Sequence, residues 1–257
     1  MLSLQISNIS FSFDKPVLRG VSTVFAAGSF SGILGPNGAG KSTLVKIMSR
    51  WYRPEKGDIF VGNKPISSLT QKEIARNIAV VEQEQSYGAD VSVEEMVSLG
   101  RLPHQSLLGE ESYEDRLHVR KAMERTGILE FTGRRISTLS GGEKQRTRIA
   151  TALAQNTSIL ILDEPTSHLD IKHQAELLNL LRTLAHDGLT VVAVLHDINL
   201  AALFCDRLII LAGGKILTEG SAEEVLTSQA IAAAYGCNVE VVRHPREEVP
   251  QIALLRR

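Results

Sequence analysis

The sequence predicts an α/β fold: a mostly parallel core sheet, an antiparallel β portion at the N-terminus, and a helical subdomain inserted into the core. Three observations carry this. Short apolar runs (Ser29–Leu34, Ser158–Leu162, Thr190–Val194 and Arg207–Leu211) read as strands buried on both faces. Between them Leu177, Leu178, Leu181, Leu184 and Ala185 form one apolar face at helical spacing, so strands alternate with amphipathic helices as a parallel sheet with covered faces requires. From about residue 84 to 156, charged helix formers dominate, as in ESYEDRLHVRKAMERTGI, and buried-strand runs disappear. The chain therefore reads as a single domain over 1–257, its core being 1–83 and 157–257 around an inserted helical subdomain at about 84–156.

In chain order, residues 4–13 and 17–25 read as strands, the first with alternating apolar positions. Ser29–Leu34 runs into a glycine-rich loop, after which Ser42–Arg50 reads as a helix. A helix near Thr70–Arg76 separates the short strands Ile59–Val61 and Ile78–Val81. No internal repeat is visible.

The composition is that of a globular protein, 43% hydrophobic and 22% charged, with 28 basic against 29 acidic residues. That balance argues against a nucleic-acid partner bound through bulk charge. Two scattered cysteines, Cys205 and Cys237, make neither a disulfide framework nor a zinc site, and Cys205 in its apolar helical stretch is expected to be a buried thiol. The start, MLSLQISNISFSF, has no basic region and reads as a strand, not a signal peptide. No run approaches the roughly 18 apolar residues that span a bilayer. A cytosolic chain is expected, with any membrane role supplied through a partner.

Gly35-Pro-Asn37-Gly38-Ala-Gly40-Lys41-Ser42 fits G-x-x-x-x-G-K-[ST] between a strand and a helix. Glycines let successive N–H groups turn toward phosphate oxygens, and the helix N-terminus adds partial positive charge. Lys41 is expected to reach the β- and γ-phosphates and Ser42 to bind Mg²⁺, with Thr43 placed to hydrogen-bond a phosphate. A dinucleotide fingerprint fails, because Thr43 stands where its third glycine is needed. The apolar run Ser158–Leu162 ends in Asp163-Glu164-Pro165, and ligands sit at the carboxyl ends of strands in such sheets. Asp163 is expected to hold Mg²⁺, and Glu164 to orient and deprotonate the attacking water. Asp-Glu-Pro alone could be a polar turn closing a strand; beside the phosphate loop it reads as chemistry. His196 ends another apolar run, where a histidine is ordinarily a hydrogen-bonded strand-end residue. A metal pair with Asp197 lacks the accompanying His/Asp cluster.

Leu139-Ser140-Gly141-Gly142-Glu143, followed by Lys-Gln-Arg146, reads locally as a helix N-cap on a glycine turn and physically also as a second anion site. With it the whole chain resembles the ATP-binding cassettes of ABC transporters, P-loop NTPases in which all these motifs occur in this order. The resemblance implies that Phe13, where the family usually has tyrosine, stacks on adenine. It implies that Gln83, preceded by Glu82 in place of a common proline, reaches Mg²⁺ and the attacking water. Ser167-His-Leu-Asp170 matches the loop that crosses the dimer interface, and His196 the histidine that senses the γ-phosphate. It further implies that Ser140, Gly141, Gly142 and Glu143 cover the nucleotide held by a second copy of the chain. Two ATP molecules would then glue a head-to-tail homodimer, and closure would pull on integral membrane permease subunits fed by an extracytoplasmic substrate-binding protein. Gly100-Arg-Leu-Pro-His104, Leu195–Ala201, Cys205-Asp-Arg207 and the tail from Tyr235 through Ile252 resemble the ATPases of ferric-siderophore, haem and vitamin B12 importers. They do not separate these cargoes. An importer or exporter of another small solute, or a non-transport ABC ATPase, are the alternatives.

Overall fold

The computed structural model describes residues 1–83, 90–105 and 111–255. In chain order its elements are β1 (Leu4–Ser12), β2 (Pro16–Phe25), β3 (Phe30–Leu34), α1 (Lys41–Met48), β4 (Lys56–Val61), β5 (Lys64–Pro65), α2 (Gln71–Asn77), β6 (Ile78–Val81), α3 (Val93–Ser98), α4 (Tyr113–Thr126), α5 (Gly141–Ala154) and β7 (Ile159–Asp163). There follow α6 (Ile171–His186), β8 (Thr190–Val194), α7 (Ile198–Phe204), β9 (Arg207–Ala212), β10 (Lys215–Gly220), α8 (Ala222–Val225), α9 (Ser228–Tyr235), β11 (Val239–Arg243) and β12 (Pro250–Leu254).

The core sheet has the order β10-β9-β3-β8-β7-β6. Every pairing in it is parallel except that of the edge strand β10 on β9. β3, β7 and β8 are buried at every position, which is why they read as unbroken apolar runs. Side chains nonetheless alternate between faces: Ile159 and Ile161 join one apolar cluster, Leu160 and Leu162 the other. The first cluster is covered by α1 and by the antiparallel sheet β2-β1-β4-β5, the second by α6 and α7.

Between β6 and β7 the described residues form helices, with an isolated bridge joining Ser92 to Arg135. Val93, Val97, Val119, Met123, Ile128 and Ala150 make a third apolar cluster there. The expected start of the insertion at residue 84 lies outside the described residues. Arg101 and Asp115 form a buried ion pair in this region, 2.8 Å apart, and Arg101 Nη1 also donates to the last carbonyl of α5, at Ala154, over 2.7 Å.

The sequence expectation placed the first helix at 42–50; it ends at Met48 because Arg50 turns left-handed, with φ of 60°. β10 and the C-terminal hairpin β11-β12 were not foreseen. Most of their side chains are exposed or half-exposed and several are polar, so they lack the apolar run that betrays a buried strand. The hairpin is fastened to α7 by Asn199: its Oδ1 accepts from Ile252 N–H at 2.7 Å and its Nδ2 donates to Ile252 O at 3.2 Å.

Candidate functional site

Four neighbouring strands, in the spatial order β3-β8-β7-β6, end at one edge of the core sheet. The ends of these strands and the segments just after them carry, respectively, the glycine loop 35–40, His196, Asp163-Glu164 and Gln83. A parallel sheet thus brings together residues far apart in sequence at the carboxyl ends of its strands.

The glycine loop is fixed by close approach. A Cβ on Gly35 would stand 2.1 Å from the Leu211 carbonyl oxygen, and Gly40 enters α1 with φ of 102°. Gly40 offers α1 no side-chain cap, whereas every other α-helix among the described residues has a Ser, Thr or Asp side chain accepting from its first turn. The N–H groups at the start of α1 are therefore left for another acceptor. Lys41 is buried at 6% exposure, and its Nζ donates to Gly35 O at 2.7 Å and Pro36 O at 3.0 Å. Burial lowers its pKa, opposed by the charges of Glu164 and Asp163. Asn37, Gly38, Gly40, Lys41, Ser42, Thr43 and Glu164 line one open cavity of about 470 Å³.

Asp163 ends β7, also buried. Burial raises its pKa, against the opposing influence of the Ser42 hydroxyl. Its Oδ1 is buried without a hydrogen-bond partner among the described residues. Asp163, Ser42 and Gln83 line a second cavity of about 390 Å³, so Ser42 borders both. Glu164 has left-handed backbone, φ 52°, and its carboxylate is gripped from two sides. Gln83 Nε2 donates to Oε2 at 2.6 Å, and His196 Nε2 stands 2.6 Å from Oε1. Ser167 Oγ adds a longer bond to Oε2, at 3.3 Å.

Ser140, Gly141, Gly142 and Glu143 line neither cavity. Ser140 instead caps α5: its Oγ accepts from Glu143 N–H at 3.3 Å while Glu143 Oε2 accepts from Ser140 N–H at 2.7 Å. Asp170 likewise caps α6, accepting from His173 N–H at 2.9 Å. Phe13 is 58% exposed and meets Phe11 and Tyr52 edge-on, at centroid distances of 5.0 and 5.6 Å.

Three neighbours of the site escaped the sequence reading. Trp51 and Tyr52 line the cavity of Ser42, Asp163 and Gln83; no motif covers them. Tyr235, treated only as part of a tail resemblance, has its phenol pKa pushed up to about 12 by burial, with the nearby Gly35 backbone opposing the rise. An aromatic at a helix end carries no sequence signal for such a contact.

The family described as ABC transporter matches residues 18–167. The iron(3+)-hydroxamate import ATP-binding protein of Bacillus subtilis (strain 168) is 39% identical over 252 residues, covering 97% of this chain and 94% of that protein. A solved inward-facing transporter described as metal-chelate type shares 25% identity, covers 100% of this chain and 98% of its own, and superposes with a TM-score of 0.87. A dimeric bacterial ABC transporter cassette shares 30% identity over 85% of this chain and 98% of its own, with a TM-score of 0.75.

Proposed function

The chain belongs to the ABC transporter family of ATP-binding proteins, and from that premise we propose that it hydrolyses ATP to energise an importer of ferric siderophores or a related chelate. The observation that carries the hydrolytic reading is the double grip on Glu164, whose carboxylate is oriented by Gln83 and His196 beside the loop that carries Lys41. A carboxylate so fixed accepts the proton of an attacking water without reorganising. Lys41 and the uncapped start of α1 bind the phosphates, and His196 senses the γ-phosphate, a role supported by its contact with Glu164. Phe13 supplies an exposed aromatic face for adenine.

Mg²⁺ fits the residues present: an unpartnered buried carboxylate oxygen on Asp163, the Ser42 hydroxyl and the Gln83 amide border one cavity, and all three offer the hard oxygen donors it prefers. When bound it neutralises charge on the β- and γ-phosphates.

Two copies act as a head-to-tail dimer. The reading is supported by the position of Ser140–Glu143 away from the chain's own nucleotide cavities and by the likeness to a dimeric cassette. The inserted helical subdomain, 84–156, carries this turn, and with Gln83 faces the permease. No described helix is long and apolar enough to cross a membrane. The chain works at the cytoplasmic face, bound to permease subunits that receive cargo from an extracytoplasmic binding protein. The iron-hydroxamate relative and the metal-chelate transporter favour an iron chelate as cargo.

Uptake by cells carrying Lys41→Ala in place of the natural chain tests this. Loss of ferric-hydroxamate uptake, with haem and labelled vitamin B12 entering normally, is the expected result. Loss of haem or vitamin B12 alone reassigns the cargo. Normal entry of all three, in cells lacking a duplicate system, overturns the chelate reading.

A further inference from the structure

His173 lies in the first turn of α6, three residues beyond Asp170. Its backbone N–H and its ring Nδ1 both reach Asp170 Oδ1, at 2.9 and 2.8 Å. The opposite edge of the ring lies on the glycine turn that opens α5. A Cβ on Gly142 would come within 2.8 Å of His173 Cδ2 and 3.2 Å of Cγ. Gly142 has an ordinary helical backbone, so here the approach of the imidazole, not a left-handed φ, excludes a larger residue. One turn further along both helices, Arg146 pairs with Glu176. The two helices are thus joined by two rungs, 142 to 173 and 146 to 176.

The helices share one apolar cluster further along: α5 contributes Ile149 and Ala152 to the cluster in which α6 packs its leucines on the core sheet, and Ala150 and Ala154 to that of α3 and α4. Leu169 packs on the shared cluster as well, but Ser140, Gly141 and Gly142 lie outside both, so apolar packing does not tie the glycine turn to the Ser167–Asp170 loop. His173 touches the end of each. We infer that His173 is a positioning residue, holding the two segments as one surface that is presented to the nucleotide of the partner subunit. The inference rests on the dimer proposed above. In that dimer both segments must arrive together, and a side chain bonded to one and stacked on the other makes them a single body. Because the Asp170 contact uses Nδ1, the edge over Gly142 stays free to pack, and one ring serves both.

The test uses the full chain in a Glu164→Gln background. ATP-dependent dimer formation is followed by light scattering, and nucleotide affinity of the monomer by a fluorescent ATP analogue. His173→Ala should raise the ATP concentration needed for half-dimerisation about tenfold, the scale of coupling between contacting residues. Monomer affinity and melting temperature should stay unchanged. His173→Asn keeps a side-chain bond to Asp170 and should recover part of the loss; His173→Phe keeps a ring over Gly142 and should also recover part. Dimerisation of the His173→Ala chain at the unaltered ATP concentration overturns the inference alone. So does a fall in monomer affinity that accounts for the whole effect. If the Glu164→Gln chain itself stays monomeric with ATP, the dimer reading falls, and the inference with it.

Discussion

His196 Nε2 stands 2.6 Å from Glu164 Oε1, although the two side chains follow different strands, β8 and β7. Gln83, arriving from a third strand, takes the other carboxylate oxygen. The group expected to activate water is therefore fixed from both sides before any substrate contact is counted.

Replacing Glu164 by Gln removes the proposed base but leaves the shape. Nucleotide binding should persist, while hydrolysis should fall by about 10²–10⁴-fold. Gel filtration with ATP should show a stable dimer; normal turnover by this variant would remove Glu164 from the role of base.

Ser140→Arg separates two functions of one residue. Loss of the cap on α5 should cost about 0.5–2 kcal/mol of stability, visible in denaturant unfolding. The added bulk should block ATP-driven dimerisation while monomer nucleotide affinity stays near that of the unaltered chain. Weakened monomer binding would count against a site shared between subunits.

Asp115 gives a pH signature. Burial alone would push its pKa up, but hydrogen bonds from Arg101 and Ser112 outweigh this and hold it at about 2. A carboxylate depressed below its unfolded value of about 3.9 contributes stability above that pH and loses it as pH falls toward the folded value. The contribution should thus be complete above about pH 4 and erode between pH 4 and 2. Asp115→Ala strands a buried guanidinium and should cost about 3–5 kcal/mol at neutral pH. Melting curves recorded against pH check both statements.

Asn199 tests the C-terminal hairpin. Asn199→Ala removes both bonds to Ile252, and each is worth about 0.5–1.5 kcal/mol net. Trypsin should then cleave after Arg243 or Arg246 faster than in the unaltered chain, with the core left intact. Equal cleavage rates would show that apolar packing of Ile252 holds the hairpin without Asn199.

The parts legible in the sequence were those with a local physical cause. β3, β7 and β8 announced themselves because burial on both faces demands apolar residues throughout. The glycine loop was legible because its backbone must curl within a few residues. Convergence of Gln83 and His196 on Glu164 was not, since it depends on the spatial order of strands and not on spacing along the chain. Gly100-Arg-Leu-Pro-His104 was read only as a mark of kinship. In the structure Arg101 and His104 bind the Ala154 and Gln155 carbonyls at the C-terminal end of α5, where the last carbonyls of a helix lack partners within it. The His173 contact with Gly142 was equally invisible, because a histidine in a first helical turn has no pattern to betray its neighbour.

The left-handed backbone at Glu164 has a consequence for descent. A glutamate held at φ 52° carries about 1–3 kcal/mol of strain, which asparagine or glycine would largely relieve. On the proposed role of Glu164 as base, selection for hydrolysis keeps the strained residue in place. A duplicated copy freed from that duty would gain stability by losing it, so asparagine or glycine at position 164 is the substitution by which an inactive paralogue should be recognised.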